Sequence, residues 1–359
     1  MVLPKTDSVL AEERNNKGIL TLNRPKVLNA ANYEMAEKVF VALNKWRDTK
    51  SMVIIKGSGD RAFCAGSDLK QLIEPSEFET NVKFFKVEYT VNFMIANLKI
   101  PYISLIDGII MGGGVGYSIH GKYRIATERT VFAMPETKIG AMPDIGSSYF
   151  LPRLKGKLGY YLGLTGSRLT GIDALHGGIA THYCDSARLP QLEGALINLQ
   201  NANDIEQVLD EYCPKIKSEF SLAKHLSQIN KCFNASTIEE ILTNLEEDDT
   251  EWSKQTIKVL RTVSPVSLKL TLHQLQLGAS YSLGECLQME YQLVRRILKH
   301  DDFHEGIKAL LVRKDNKPKW NPARIEDVIL EKHVLPFFKH FPDNDIDELP
   351  ISVKLISKF

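Results

Sequence analysis

The chain changes its class of secondary structure part-way along, and this change limits the folds that it can adopt. From Lys17 to about Asp185, short apolar runs bounded by turn residues alternate with helical patterns. Such alternation is typical of α/β proteins, in which helices cross over between strands of a sheet. After about Ser186 the strand signals stop and amphipathic helices follow. The predicted strands are Gly18–Leu22, Met52–Ile55, Tyr102–Ile106, Arg124–Ala126 and Val131–Ala133.

Helix signals support the same division. The spacing of apolar residues predicts helices at Asn29–Trp46 and Glu77–Leu98. Because the chain has 359 residues, enough for about two units of roughly 150 residues, we predict a domain over residues 1–200 and a helical region over residues 201–359. Capping patterns indicate where three helices of that region begin. They are Ser236-x-x-Glu239, Ser264-Pro265 and Ser282-x-x-Glu285.

The overall charge argues against polyanionic partners. The formal net charge is only +1, so no general field attracts nucleic acid or an anionic membrane. The most apolar stretch, Tyr102–Ile119, contains Asp107 and several glycines, which argues against a membrane span. The five cysteines are scattered without metal-ligand spacing, so we expect reduced thiols and no metal. A small-molecule substrate is the favoured partner.

A glycine-rich segment follows the strand at Tyr102–Ile106 and precedes a predicted helix that runs through His120. It reads Met111-Gly-Gly-Gly-Val-Gly116. Without side chains, glycines let a ligand carbonyl approach backbone N–H groups at a helix N-terminus, where the macrodipole favours negative charge. Close packing of a turn would require glycines equally well. The pattern by itself leaves both interpretations open.

A second segment, Arg61–Asp68, follows the strand at Met52–Ile55 and is also rich in small residues. One amide from each segment would form a two-donor oxyanion hole. Such a pair stabilises an enolate or a tetrahedral thioester intermediate, and removal of one donor typically costs about 3 kcal/mol of barrier. Either segment alone is also compatible with an ordinary loop.

Three acids are candidates for chemistry. Glu136 follows Pro135, and Asp144 follows Pro143, so each lies beside a backbone of restricted φ. A carboxylate held in place suits general acid–base or nucleophilic work, although surface turns with this pattern are common. Glu88 falls within the apolar stripe of the predicted helix at Glu77–Leu98. A buried acid there either contacts substrate or forms a core ion pair.

Several motifs together resemble one family. The two glycine-containing segments and Asn23–Ala30 resemble the crotonase (enoyl-CoA hydratase/isomerase) superfamily over the first part of the chain. Other segments are similar to the subgroup that hydrolyses small 3-hydroxyacyl-CoA thioesters, such as 3-hydroxyisobutyryl-CoA or 3-hydroxypropionyl-CoA, in valine breakdown. These segments are Met134–Thr137, Pro143–Gly146, Tyr149–Leu154, Ser264–Lys269, Asp302–Gly306 and Pro318–Trp320.

The resemblance implies a fold and a set of site residues. The fold is an α/β, crotonase-like spiral of ββα units with a helical C-terminal extension. Ala65 and Gly113 match the oxyanion donors, Glu136 and Asp144 the catalytic acids, and Glu88 a substrate-contacting acid. Gly113, Glu136 and Asp144 also bind substrate in this reading. No cofactor is implied, because coenzyme A is part of the substrate.

The resemblance also bears on the reaction. Hydratases of the superfamily carry a second glutamate where this chain has Gly116, so its absence favours thioester hydrolysis. Glu136 would attack the thioester carbon to give a mixed anhydride or would activate a water, and the sequence leaves both routes open. The chain departs from the subgroup at Ser67 and at Ser147-Ser148, where glycines are usual. Activity is still expected because the key acids remain, but Ser67 would narrow the entry for the thioester, which leaves an altered acyl preference open.

Parts of the sequence are compatible with three other functions. Gly57-x-Gly59-x-x-Ala62 is formally a dinucleotide fingerprint, but another loop-like run follows it instead of a helix. An enoyl-CoA hydratase or isomerase activity and a non-catalytic role in the mitochondrial ribosome are both known among relatives of the superfamily. The near-neutral charge argues against RNA binding. Absorbance titration with a nicotinamide cofactor and a thioesterase assay separate these possibilities.

Family resemblance implies the mitochondrial matrix as the compartment. Met1–Arg14 contains Asp7, Glu12 and Glu13, which is unlike an acid-poor transit peptide, so no presequence is expected in this segment. Members of the superfamily often form trimers or hexamers, and a homo-oligomer is therefore expected as a possible assembly. The sequence alone does not choose the oligomeric state.

Overall fold

The computed structural model describes residues 7–339 and 347–351. Their packing divides the chain into two compact units. Unit 1 contains Met1–Asp68, Thr90–Phe132 and Leu169–Phe220, and unit 2 contains Leu69–Tyr89, Ala133–Arg168 and Ser221–Phe359. Each unit therefore draws on both sides of residue 200, so the units do not follow the contiguous division into residues 1–200 and 201–359. Met1 to Thr6 of the N-terminal segment discussed above lie outside the described residues.

In the described part of the chain, ten strands form two sheets. The six-stranded sheet has the order β1-β2-β3-β5-β7-β10, and the four-stranded sheet has the order β4-β6-β8-β9. In the larger sheet only β1 and β2 pair antiparallel, and each later neighbour is parallel. The strands are β1 Val9–Arg14, β2 Lys17–Leu22, β3 Met52–Gly57, β4 Ala62–Cys64, β5 Tyr102–Ile106, β6 Ile109–Met111, β7 Tyr123–Ala126, β8 Val131–Ala133, β9 Leu169–Thr170 and β10 His182–Tyr183.

Helices connect these strands and make up the regular structure described after β10. Up to β10 they are α1 Tyr33–Trp46, α2 Leu69–Leu72, α3 Phe78–Asn97, α4 Ser147–Phe150, α5 Leu158–Thr165 and α6 Asp173–His176. After β10 they are α7 Leu189–Asn198, α8 Ile205–Tyr212, α9 Leu226–Cys232, α10 Ile238–Asp248, α11 Glu251–Leu260, α12 Pro265–Gly278, α13 Leu283–Ile297, α14 Asp301–Ile307, α15 Leu330–His333 and α16 Leu335–Phe338. Within the described ranges no helix is long and apolar enough to cross a membrane.

The core of unit 1 lies on the central strands of the larger sheet. Ile54, Ile103 and Ile125 are fully buried on β3, β5 and β7, and they belong to one apolar cluster with Leu192 of α7 and Leu209 of α8. Burial of each such side chain contributes about 1.5–3 kcal/mol. Because parallel strands are covered on both faces, their sequences read as continuous apolar runs, which is how they were predicted.

The five predicted strands and the predicted helices at Asn29–Trp46 and Glu77–Leu98 are confirmed, nearly in their full extent. All five predicted strands are present, and α1 and α3 lie within the two predicted helices. Among the described residues, no strand follows β10, which agrees with the predicted change of class after Ser186. Ser264 caps α12 with Pro265 in its first turn, and Ser282 forms a complete capping box with Glu285 at the start of α13.

One predicted helix start is wrong by a single residue. The capping residue of α10 is Thr237, whose hydroxyl accepts a hydrogen bond from the Glu240 amide at 3.1 Å. Ser236 instead lies before the cap, and its own amide donates to the Glu240 carboxylate at 2.7 Å. The sequence contains two overlapping patterns, and the correct one places Ile238 and Leu242 on the buried face.

This correction can be tested with neighbouring variants. Thr237→Ala removes the capping hydroxyl and should lower the free energy of unfolding by about 1 kcal/mol. Ser236→Ala should change it by less than about 0.5 kcal/mol, because both residues are exposed and only Thr237 caps the helix. Urea unfolding followed by circular dichroism measures both variants. An equal loss in the two variants would contradict the assignment.

Candidate active site

Within unit 1 the two glycine-containing segments lie side by side. The strands that precede their glycines, β4 and β6, are parallel neighbours, so both segments leave the sheet at the same edge. Gly66 has a left-handed φ of +107°. A Cβ atom placed on it would lie 3.2 Å from the Met111 carbonyl oxygen and 4.0 Å from the Gly113 nitrogen. The two segments are therefore neighbours in space, and the oxyanion hole that one amide from each would form stays a prediction.

The second segment forms a short 3₁₀ helix, Gly112–Tyr117, instead of the predicted helix through His120. Gly113 lies in its first turn, where the helix itself supplies no acceptor for the backbone N–H groups. A Cβ atom on Gly114 would lie 2.4 Å from the Cys64 carbonyl oxygen. Close packing thus explains Gly114, while the position of Gly113 suits an amide donor.

The assignment of Ala65 as an oxyanion donor is contradicted. The Ala65 amide donates to the Leu28 carbonyl at 3.0 Å and is already used within unit 1. Ser67 forms a parallel bridge with Ala31, made by the Gly66 carbonyl and the Asp68 amide, so the N–H of Ser67 itself points away from Ala31. Among the described residues, no hydrogen-bond partner is found for the Ser67 amide.

Within unit 2, Glu136 begins the 3₁₀ segment Glu136–Ile139, directly after Pro135. Gly140 ends the segment with a φ of +74°, and a Cβ atom there would lie 2.3 Å from the Asp302 carbonyl oxygen. The Ser264 amide donates to the Thr137 carbonyl at 3.0 Å. The short segment that carries Glu136 is therefore fixed by residues of the C-terminal helical region.

Glu136 lies in an environment that disfavours its charge. Its side chain is buried, and no hydrogen-bond partner is found for Oε2 in the described part of the chain. Burial raises the pKa of Glu136 well above the ordinary value, and the nearby charge of Asp144 raises this pKa further. A buried acid without an ion pair is costly for the fold, and such groups are typical of catalytic sites.

Asp144 is the second buried acid of this cluster. Burial raises its pKa to about 6, although a hydrogen bond from the Tyr89 hydroxyl lowers it. That bond joins Tyr89 Oη and Asp144 Oδ2 at 2.6 Å. Burial and the Asp144 charge together raise the pKa of Tyr89 well above its ordinary value, so Tyr89 remains a proton donor to Asp144.

Glu88 is fully buried on α3, next to Tyr89 in the sequence, and its charge adds to the effects that raise the Tyr89 pKa. Its predicted role in substrate contact stays a prediction. Within residues 7–339 and 347–351, no group of three or more His, Cys, Asp or Glu side chains is arranged to hold a metal ion.

A family model described as enoyl-CoA hydratase/isomerase matches residues 17–338. The chain belongs to this family. Among curated relatives, the rat protein named 3-hydroxyisobutyryl-CoA hydrolase, mitochondrial, is 46% identical over 352 residues, which cover 95% of this chain and 91% of the relative. The human protein of the same name is 44% identical and covers 95% of this chain and 90% of its own length.

Solved structures of the family confirm the crotonase-like fold. A carnitinyl-CoA dehydratase from Mycobacterium thermoresistibile is 33% identical with a TM-score of 0.87, and the match covers 94% of this chain and 98% of that one. An enoyl-CoA hydratase from Rhodobacter sphaeroides 2.4.1 is 34% identical with a TM-score of 0.83, covering 92% and 97%. The predicted α/β core with a helical C-terminal region is therefore correct.

Sequence reasoning missed two residues of the unit 2 cluster, Tyr89 and Glu290. Glu290 is fully buried on α13, and its carboxylate accepts hydrogen bonds from the turn that follows Asp144. Its position carried a usable signal, because it falls three residues after Leu287 within the apolar stripe of that helix. The same pattern singled out Glu88. Tyr89 gave no such signal, since a buried tyrosine is common in a core.

Gly66 has a left-handed conformation and close contacts, so its substitution tests the described packing of unit 1. Gly66→Ala should lower the free energy of unfolding by about 1–3 kcal/mol, because its φ is positive and its Cβ atom would press on the Met111 carbonyl. Gly194→Ala is the matched control. Gly194 lies within α7 with no atom within 4 Å of its Cβ position, so alanine there should be neutral or stabilising. Urea unfolding measures both, and equal stabilities would contradict the described contacts.

The raised pKa of Asp144 predicts a pH-dependent stability. Between its usual pKa of 3.8 and about 6 in the fold, Asp144 holds more protons in the folded than in the unfolded protein, so its contribution is lost as pH rises through this window. Asp144→Asn should remove this loss, which corresponds to about 2–3 kcal/mol. The difference in free energy of unfolding between the two proteins should therefore change in favour of the variant from pH 4 to pH 7. A constant difference would contradict the buried, high-pKa carboxyl group.

Proposed function

We propose that this chain hydrolyses the thioester of 3-hydroxyisobutyryl-CoA to the free hydroxy acid and coenzyme A. The substrate follows from relatives at 44–46% identity that carry the name 3-hydroxyisobutyryl-CoA hydrolase. The structural observation that carries the proposal is Glu136, a buried carboxylate whose Oε2 is not hydrogen-bonded to any described residue. Such an oxygen is suited to attack or to proton abstraction once it is ionised.

Two routes are compatible with this residue. In the first, a Glu136 oxygen bonds to the thioester carbon, the C–S bond breaks, the thiolate takes up a proton, and water hydrolyses the resulting anhydride. In the second, Glu136 takes a proton from water as that water bonds to the same carbon, the C–S bond of the tetrahedral intermediate breaks, and the leaving thiolate takes up the proton from Glu136. Asp144 accepts a hydrogen bond from Tyr89. In both routes Asp144 either binds the substrate hydroxyl or transfers a proton to the leaving thiolate.

Negative charge develops on the thioester oxygen during the reaction, and we expect backbone N–H groups to stabilise it by donating hydrogen bonds. We assign this role to the amides of Gly113 and Ser67, with Ser67 replacing Ala65 because the Ala65 amide is bonded to Leu28. Preorganised donors of this kind are each worth about 3 kcal/mol. The chemistry uses backbone amides, carboxylates and water, so the proposal includes no cofactor other than the coenzyme A of the substrate.

Hydration of an enoyl-CoA is the second candidate, because two solved structures at 33–34% identity are named as a dehydratase and a hydratase. Gly116 stands where hydratases of the superfamily carry their second glutamate. Water addition to a double bond needs two positioned acids, so this position favours hydrolysis. The greater identity to the hydrolases points the same way.

The relatives are named as mitochondrial, and we extend this to a matrix location and to a role in valine breakdown for this chain. A homo-oligomer is also proposed, by resemblance to the superfamily. The net charge of +1 does not favour nucleic acid or a membrane surface as a partner.

The proposal predicts a specific pattern of turnover. Purified protein should release free thiol from 3-hydroxyisobutyryl-CoA and 3-hydroxypropionyl-CoA, and it should leave the double bond of crotonyl-CoA unchanged. Glu136→Gln should lower kcat by at least about 10²-fold without loss of folding, because the amide is neither a base nor an effective nucleophile. Thiol release and the ultraviolet absorbance of the enoyl group measure the two reactions.

Glu247→Gln is the matched control for this substitution. Glu247 is exposed at the end of α10, so its replacement should leave kcat unchanged within about two-fold. Hydration of crotonyl-CoA without thiol release would favour the second candidate. A Glu136→Gln protein that retains most of its kcat would overturn the assigned role of Glu136.

A further inference from the structure

The carboxylate of Glu290 binds the turn that directly follows Asp144. Glu290 Oε2 accepts a hydrogen bond from the Gly146 amide at 2.6 Å. Glu290 Oε1 accepts from the Ser148 amide at 2.8 Å and from the Ser148 hydroxyl at 2.6 Å. Both oxygens of one buried side chain therefore accept hydrogen bonds, from three donor groups on two residues of the turn, Gly146 and Ser148.

The turn held in this way has a strained backbone. Ile145 has a φ of +56° and Gly146 a φ of +83°. A β-branched residue in the left-handed region is strained, and it persists only where its surroundings determine it. The two Glu290 oxygens bind Gly146 and Ser148, the first and third residues after Ile145, which is where such a determining contact is needed.

The residue before Asp144 is also fixed by the C-terminal helices. Gln274 is fully buried on α12, and its Nε2 donates to the Pro143 carbonyl at 2.6 Å. Glu290 lies on the next helix, α13. The short peptide that carries Asp144 is thus held on its N-terminal side by Gln274 and on its C-terminal side by Glu290.

We propose that Glu290 is a positioning residue, which holds the turn at Asp144–Ser148 and through it keeps the Asp144 carboxylate directed at its partner Tyr89. The inference rests on the proposed function, because it gives Asp144 a role in turnover. It also explains why this chain places serine at position 148, where the subgroup usually has glycine: the Ser148 hydroxyl supplies one of the three hydrogen bonds.

Charge in the cluster links Glu290 to Asp144. Burial raises the pKa of Glu290 to about 8, the Ser148 and Gly146 donors lower it, and the Asp144 charge raises it. The other titratable groups linked to this cluster are Glu136 and Tyr89, whose pKa values the Asp144 charge raises, and Cys286, whose pKa the Glu290 charge raises. A positioning role therefore predicts a step in the pH profile of kcat near pH 8 that depends on Glu290.

The adjacent serines supply a matched pair for the test. Both side chains are fully buried, but the Ser148 hydroxyl donates to Glu290, whereas no partner is found for the Ser147 hydroxyl among the described residues. Ser148→Ala should lower kcat several-fold with a smaller change in KM, and it should move the step near pH 8 to higher pH. Ser147→Ala should keep the wild-type pH profile and a kcat within about two-fold.

Glu290→Gln is the direct test. The amide group of glutamine offers one acceptor oxygen and places its NH₂ group against an N–H donor of the turn, so kcat should fall by about 10- to 100-fold, as misplaced catalytic groups do. The step near pH 8 should be absent. Hydrogen exchange followed by mass spectrometry should show lost protection of the Gly146 and Ser148 amides in this variant and retained protection in Ser147→Ala.

The outcomes separate this inference from the proposed function. An active wild-type enzyme whose Glu290→Gln and Ser148→Ala variants keep kcat, pH profile and amide protection would overturn the positioning role. A wild-type protein without thioesterase activity would overturn the proposed function. In that case hydrogen exchange alone decides whether Glu290 holds the turn: loss of protection in Glu290→Gln supports it, and unchanged protection overturns it.

Discussion

Unit 2 buries several carboxyl groups, and the free-energy cost of removing their charge from water is the constraint on which the rest of its structure depends. A buried acid must be hydrogen-bonded, paired with a cation or protonated, because its unpaired charge is too costly in a medium of low polarity. Among the described residues, Glu136, Asp144 and Glu290 have no ion pair with a lysine or arginine, and burial raises the pKa of all three. The cluster therefore retains protons that an exposed group would release, and that is the condition acid–base chemistry requires.

The three acids meet this constraint in different ways. Glu290 is satisfied by three donors of the neighbouring turn, and Asp144 by the hydroxyl of Tyr89. Glu136 has an oxygen for which the described part of the chain offers no donor. This difference in hydrogen bonding supports the proposed roles, with Glu136 as the reacting acid and Glu290 as the supporting one.

The sequence predicted most of the fold because its signals are local. Buried parallel strands read as apolar runs, and the capping box at Ser282 depends on residues three positions apart. The failures were of another kind. The boundary at Thr237 required a choice between overlapping capping patterns, and the availability of the Ala65 amide depended on a hydrogen bond to Leu28, whose position no local pattern reveals.

Local sequence patterns also identified the candidate acids, but they did not reveal which residues these acids contact. Proline beside Glu136 and Asp144 marked restricted backbone, and burial confirmed that neither is a surface turn residue. Pattern alone gave no partner for either side chain. The contacts of Tyr89 and Glu290 with the segment around Asp144 are found only in the structure, since tertiary contacts between distant residues leave no periodic trace in the sequence.

The hydrogen bonds of Glu290 limit the order in which parts of the protein can fold during synthesis. Its hydrogen bonds to Gly146 and Ser148 span 144 and 142 positions of sequence. During synthesis on the ribosome, the nascent chain carries the strained turn long before the helix that supplies its acceptor has been made. The strands of the central sheet can pair early, but the acid cluster is complete only when α13 has emerged. A chain cut short before that helix would keep its strands but lack the acceptor that binds Gly146 and Ser148.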